Sequence, residues 1–168
     1  MSNITAPPTT QPVPPRGPLR WLLSAPKYLF RAHLGFLLDH RFLLLVHEGR
    51  RTGKLRETPL EVVHYDAATR EAVVAAGWGH KTQWLHNVEA GLAKEIRIGR
   101  DRYTPIYRLL EVDEAAALFE EYERHNGMPK SLVQKVLSRL LGWRYDGSEA
   151  ARRRAVTQLP LLGFRPSD

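Results

Sequence analysis

The stretch from His47 to Leu60, HEGRRTGKLRETPL, constrains this chain more than any other. It places Gly49 and Gly53, the cations Arg50, Arg51, Lys54 and Arg56, and Pro59 in a span too short for a helix of its own. To its left runs an apolar segment of strand character, Phe42 to Val46. To its right, Leu60-Glu61-Val62-Val63-His64-Tyr65 mixes β-branched and aromatic residues with polar ones. The pattern predicts a β-hairpin with a basic, glycine-containing connection. Glycines let successive backbone N–H groups turn toward a phosphate, and guanidinium groups add charge-assisted hydrogen bonds, so the turn is suited to an anion. The residues alone leave open a solvated hairpin loop whose cations serve solubility.

With 168 residues, a single domain can bury its own core. The charge balance of +7 and pI near 10.0 favour anionic partners: nucleic acid, a membrane surface, or a cofactor carrying phosphate and carboxylates. No cysteine is present, which excludes disulfides, thiolate metal sites and thiol nucleophiles. Neither a signal peptide nor a run of ~20 apolar residues is visible, so a cytoplasmic protein is expected.

Residues 1–18 are rich in Pro and Thr and read as a disordered tail, with residues 19–168 forming the single domain. An amphipathic helix is expected from Pro26 to about Asp39, with Tyr28, Leu29, Phe30, Leu34, Leu37 and Leu38 on its apolar face. It either caps the core or rests on a membrane or a greasy substrate channel. Beyond the hairpin, strands are expected at 70–76, 94–98, 102–112 and 159–164. Helices are expected at 83–90 (N-capped by Thr82), 114–125 (capped by Asp113), 130–141 and 148–154. About six strands joined by short turns, with helices between and beside them, make an α+β protein whose antiparallel sheet can close into a small barrel.

Common catalytic signatures are absent: no G-x-G-x-x-G, P-loop, G-x-S-x-G or H-E-x-x-H occurs. Seven histidines are scattered without ligand spacing, so no metal is expected. The charge is not accompanied by an RNA-binding aromatic motif or a recognition helix, so nucleic acid is not the expected partner.

Taken in order, LLDHRFLLLVHEGRRTGKLRETPLEVV, VVAAGWGHKTQWLHNV and QLPLLGFRP resemble the deazaflavin (coenzyme F420)-dependent nitroreductase/quinone reductase family, over roughly Leu37 to Pro166. The most specific parts are G-R-R-T-G-x-x-R-x-x-P-L from Gly49 and A-A-G-W-G…W-x-x-N from Ala75 to Asn87. The resemblance implies a split β-barrel related to FMN-binding proteins. It also implies that Arg50, Arg51, Thr52, Gly53, Lys54 and Arg56 hold the cofactor's phosphate and acidic tail. Pro59 and Leu60 would begin the strand under the deazaflavin ring, Ala75, Ala76, Gly77 and Trp78 would line it, and Trp84 and Asn87 would close its far side. Gly77 stands where the nitroreductase branch carries serine, and the tyrosine-rich substrate segment of that branch is replaced by helices around Tyr122, His125 and Val133.

The expected function is hydride transfer from reduced F420 to a small apolar acceptor such as a quinone, enone or nitro compound. Tyr122 and His125 are the candidate catalytic groups, with His80 and Tyr145 as further proton donors. The alternatives are an FMN- or heme-binding split barrel and a non-catalytic basic cofactor-binding module. Monomer and homodimer are both left open, as is peripheral membrane contact through residues 26–38.

Overall fold

The computed structural model describes residues 28–167, so the expected tail at 1–18 and the first residues of the expected first helix lie outside the described residues. Seven strands form one antiparallel sheet: β1 (Phe42–Glu48), β2 (Leu55–Asp66), β3 (Glu71–Ala75), β4 (Ala93–Ile98), β5 (Asp101–Tyr103), β6 (Pro105–Leu109) and β7 (Leu161–Pro166). Their order is β5-β4-β1-β2-β3-β7-β6. The strands at the two ends of that order, β5 and β6, are separated in sequence by Thr104 alone. One residue spans only about 3.3 Å of chain, so the sheet must curl until its edges meet, which makes a barrel. This is the expected α+β split-barrel architecture, with one strand more than expected.

The extra strand comes from dividing the segment expected as a single strand at 102–112. Pro105 has no N–H with which to continue the β5 ladder, and at Thr104 the chain leaves β4 for β7. The barrel interior is filled by alternate residues: Leu43 and Leu45 from β1, Val62 from β2, Ala72 and Val74 from β3, Ile96 and Ile98 from β4, and Leu162 and Phe164 from β7. Helix α1 (Gln83–Glu89) inserts Trp84, Leu85 and Val88 into the same core. A second core lies on the outer wall, where Val73 and Leu161 meet α2 (Val112–His125), α3 (Lys130–Leu141) and α4 (Glu149–Gln158). Burial on both faces explains why β3 and β7 read as continuous apolar runs rather than alternating ones.

The expected helix from Pro26 to Asp39 is not continuous. Residues 28–31 are helical, His33 turns the chain at φ +59, and Gly35–Leu38 follows as a 3₁₀ turn. A Cβ on Gly35 would lie 2.4 Å from the Phe30 ring, so the chain folds back on Phe30 where an amphipathic helix would have run straight. Two caps also differ. The N-cap of α2 is Glu111, with Asp113 inside the first turn, and the Thr82 hydroxyl donates to the Gly79 carbonyl at 2.7 Å instead of accepting from the helix. Ser148 does cap α4, accepting from Ala151 N–H, but that helix runs to Gln158 because Ala151, Ala155 and Val156 continue its buried face.

Candidate functional site

The hairpin of β1 and β2 forms as expected, with His47 paired to Arg56 and Glu48 to Leu55 across the turn. Gly53 takes φ +63, the left-handed conformation the turn requires. Gly49 is tight for a different reason: a Cβ there would lie 2.8 Å from Thr52 Oγ1 and 3.1 Å from Arg56 Nε, so its bare backbone lets hydroxyl and guanidinium converge.

The backbone does not form the open N–H cradle the sequence predicts. Thr52 and Gly53 N–H both donate to the Gly49 carbonyl, Gly49 N–H to the Lys54 carbonyl, and Arg50 N–H to Asn87 Oδ1 at 3.2 Å. The donors left for an anion are the Arg51 N–H, which has no hydrogen-bond partner among the described residues, and the side chains. Arg50, Arg51, Lys54 and Arg56 are exposed, and among the described residues none of the four forms a salt bridge. Across β2 and β4, by contrast, Glu57 and Glu95 are engaged by Arg31, Arg97 and Arg102. Four cations without carboxylates, one hydroxyl and a close-approach glycine are the donor set that a phosphate and a chain of carboxylates need.

β2 then changes partner. Residues 55–61 pair with β1, and pairing with β3 starts only at Val62, opposite Val74. The other edge of β2 is therefore without a strand neighbour alongside Pro59 and Leu60, which is why a proline is tolerated inside a strand that lies mid-sheet. Beyond β3 the chain leaves the ladder at Ala76, whose N–H goes to the Pro160 carbonyl. Gly77 has nothing within 4 Å of where its Cβ would stand, and Trp78 is exposed.

Trp84 is placed differently from the other expected ring contacts. It is 7% exposed, inside the barrel core, with its ring 6.4 Å from that of Phe164. Asn87 is buried and fully engaged at both ends: besides accepting from Arg50, its Nδ2 donates to His47 Nδ1 at 2.9 Å. His47 Nε2 lies 2.9 Å from Thr58 Oγ1. Burial, and then the charge of Arg56, lower the His47 pKa, so the ring is neutral. In the sequence alone His47 is only the boundary of the motif, with nothing to give it a role.

Tyr122 and His125 lie on the last turns of α2, beside the far half of β2. With Asp39, His40, Arg41, Glu61, His64 and Glu121 among their neighbours they line a cleft of about 300 Å³. The Tyr122 hydroxyl donates to Glu61 Oε1 at 2.7 Å, and burial followed by the Glu61 charge pushes the phenol up. His125 Nδ1 donates to the Glu121 carbonyl at 3.0 Å, leaving Nε2 to the solvent side. Asn126, also on the cleft, has a buried Nδ2 with no partner. Of the other two proton-donor candidates, Tyr145 is buried between helices with its hydroxyl on Glu123, and His80 bonds the Thr157 carbonyl; neither lines the cleft. Among the described residues no group of three or more His, Cys, Asp or Glu is arranged to hold a metal, and no helix is long and apolar enough to cross a membrane.

Comparison with known proteins gives one sequence-level match. The family model for F420H(2)-dependent quinone reductase matches residues 29–140. No curated protein matches significantly. Similar solved structures include an F420-H2 dependent reductase, FDR-A, at 18% identity, covering 76% of this chain and 96% of that one with a TM-score of 0.44. A domain-swapped dimer at 16% identity covers 89% of this chain and 100% of that one, with a TM-score of 0.47. A Clostridium acetobutylicum protein related to general stress protein 26, of the pyridoxinephosphate oxidase family, shares 7% identity over 83% of this chain and 84% of that one, at 0.44.

Proposed function

This chain belongs to the F420H(2)-dependent quinone reductase family, an enzyme family whose cofactor is coenzyme F420, and from that premise we propose how its own residues divide the work. The turn 49–56 holds the phosphate and acidic tail through Arg50, Arg51, Lys54, Arg56 and the Thr52 hydroxyl. The ring lies in the gap between the free edge of β2 at Pro59 and Leu60 and the segment Ala75–Trp78. The acceptor, a quinone or a similarly small conjugated carbonyl or nitro compound, enters from the cleft of Tyr122 and His125. The observation that carries this reading is the set of four unpaired cations on a turn fixed to α1.

Reduced F420 supplies the hydride. The protein binds, orients and dries the reacting pair. Reduction of a carbonyl acceptor also needs a proton at oxygen. Tyr122 keeps its own proton in the neutral range, because burial and Glu61 raise its pKa, and its role is to shape the cleft. His125 is the group that carries a proton there: its Nδ1–H is held by the Glu121 carbonyl and Nε2 is the exchanging atom.

The test is Arg56→Ala, measured by quenching of cofactor fluorescence. Loss of a guanidinium bound to phosphate costs about 2–5 kcal/mol, hence binding weaker by tens-fold or more. Binding equal to the parent's would refute the assignment of the turn. His125→Gln should keep cofactor affinity and slow turnover of a model quinone.

A further inference from the structure

The turn is fastened by a residue outside the cation motif. Among the described residues two hydrogen bonds leave turn 49–54 for the rest of the protein, and both originate on Arg50: its N–H to Asn87 Oδ1, and its Nη1 to Gln83 Oε1 at 3.4 Å. The first is shorter and ends on a buried partner. We propose that His47 is a positioning residue that acts through Asn87 to hold the anion-binding turn in its competent geometry, and so sets cofactor affinity without touching the cofactor. The inference rests on the reading of the turn given above.

The polarity of the chain of bonds follows from its one fixed donor. A backbone N–H can only donate, so Asn87 presents Oδ1 to Arg50 and must offer Nδ2 to His47. His47 Nδ1 is then the acceptor, its proton sits on Nε2, and that N–H donates to Thr58 Oγ1. Strand alternation puts His47 on the interior face with Leu43 and Leu45, at the end of the barrel that α1 plugs, and it is 2% exposed. A ring so enclosed, on a strand anchored on both sides by β2 and β4, fixes the Asn87 amide in one orientation. With the amide fixed, the ordering of the turn accompanies folding and is not charged again when ligand arrives.

Protonation of His47 reverses the device. A proton on Nδ1 would face the N–H of Asn87 Nδ2, and the amide could recover a bond to the ring only by turning and abandoning Arg50. The charged groups packed around His47 are Arg56 opposite it on β2 and the Glu48–Lys94 pair beside it on β1 and β4; from α1 the facing group is the neutral Asn87. Arg56 acts against protonation, as burial does.

The experiment titrates full-length protein with F420 by fluorescence at pH about 7.5 and about 5, a range that spans the ordinary histidine pKa. The parent, His47→Leu, His47→Asn and Arg56→Ala are compared, with hydrogen exchange of the Arg50 amide as a readout free of cofactor. His47→Leu strands the Asn87 donor and should weaken binding about tenfold, speed Arg50 exchange, and confine its kinetic effect to the cofactor KM rather than kcat. His47→Asn keeps an acceptor near the place of Nδ1 and should rescue affinity to within about threefold of the parent. Relative to the parent, its affinity should hold up at acid pH. If His47→Leu binds and exchanges like the parent, or if His47→Asn loses affinity at acid pH in parallel with the parent, the inference is overturned. The second comparison decides alone should the Leu variant not fold. Arg56→Ala separates the premises: parent-like binding in that variant overturns the reading of the turn itself, whereas weak binding there with a neutral His47→Leu overturns only the role of His47.

Discussion

Replacing Gly163 by alanine tests how the second half of the barrel is locked, and its cost can be worked out from the neighbours. Gly163 sits on β7 between Val73 of β3 and Arg108 of β6. A Cβ there would lie 2.6 Å from Glu71 Oε1, 2.7 Å from its Cδ and 3.1 Å from its Cγ. Glu71 is 8% exposed and its carboxylate is gripped by Arg108, through Nε at 3.2 and 3.0 Å and Nη2 at 2.7 Å. The Glu71 side chain cannot lift off β7 without loosening that grip. A charge-assisted bond of this kind contributes about 1.5–3 kcal/mol, but Arg108 is half exposed and retains Glu114, so the expected loss is nearer 1–2 kcal/mol. In a Glu71→Ala background the obstructing atoms are gone, and alanine at 163 should cost nothing and gain a few tenths from the unfolded chain. The assay is urea unfolding of the parent, both single variants and the double variant. The double variant should be no less stable than Glu71→Ala alone. Costs that simply add, within about 0.5 kcal/mol, would refute the steric argument.

Other outcomes follow from the same geometry. Trp84→Ala empties a core site and should lose about 3–5 kcal/mol of stability; a loss under about 1 kcal/mol in urea would mean that the indole is free to face the ring. Gly77→Ala meets no atom within 4 Å, so stability should stay within about 0.5 kcal/mol while the fluorescence titration registers any change in ring binding. The unfolded state takes up protons on His47 near the ordinary value of 6.5 whereas the folded state resists, so acidification from above 6.5 toward the lower folded value should cost stability that His47→Asn does not lose. Rising salt should weaken cofactor binding, more steeply for forms with longer acidic tails; salt-independent affinity would remove the cations from the site.

The hairpin and its cations were legible because a glycine-punctuated basic turn between two strand-like runs has few other solutions. The α3 boundaries were equally plain, with Pro129 before Lys130 and Gly142 in the left-handed conformation after Leu141. What the sequence hid depends on contacts between distant segments. Composition near Pro26 and Leu38 has helical periodicity, yet a Phe30–Gly35 contact folds it back. Trp84 carries the same letters in a ring wall as in a core, and only its approach to Phe164 places it. His47 was hidden in the same way. A lone histidine at the end of an apolar strand acquires meaning from Asn87, 40 residues later. The buried polar residues at positions 47 and 87 were the available signal, each standing at an inward position of its element.

Strand β2 connects these observations. Its first half carries Arg56, its middle Pro59 and Leu60, and Glu61, the partner of Tyr122, comes next. Five residue steps from Arg56 to Glu61 fix a distance of about 17 Å along a strand that β1 holds rigid over that length. On the proposed reading, a ligand anchored by its phosphate at Arg56 would reach the gap beside Leu60, which shares a face of β2 with Arg56, while Glu61 and the cleft lie on the opposite face. Register therefore couples affinity to chemistry. A substitution that shifts β2 by one residue against β1 would move the cations and reverse which side chains face the barrel. The partner change at Val62 fits the proposed site: the strand is paired on one side, where it would act as a rigid spacer, and left open on the other, where the ring is proposed to lie.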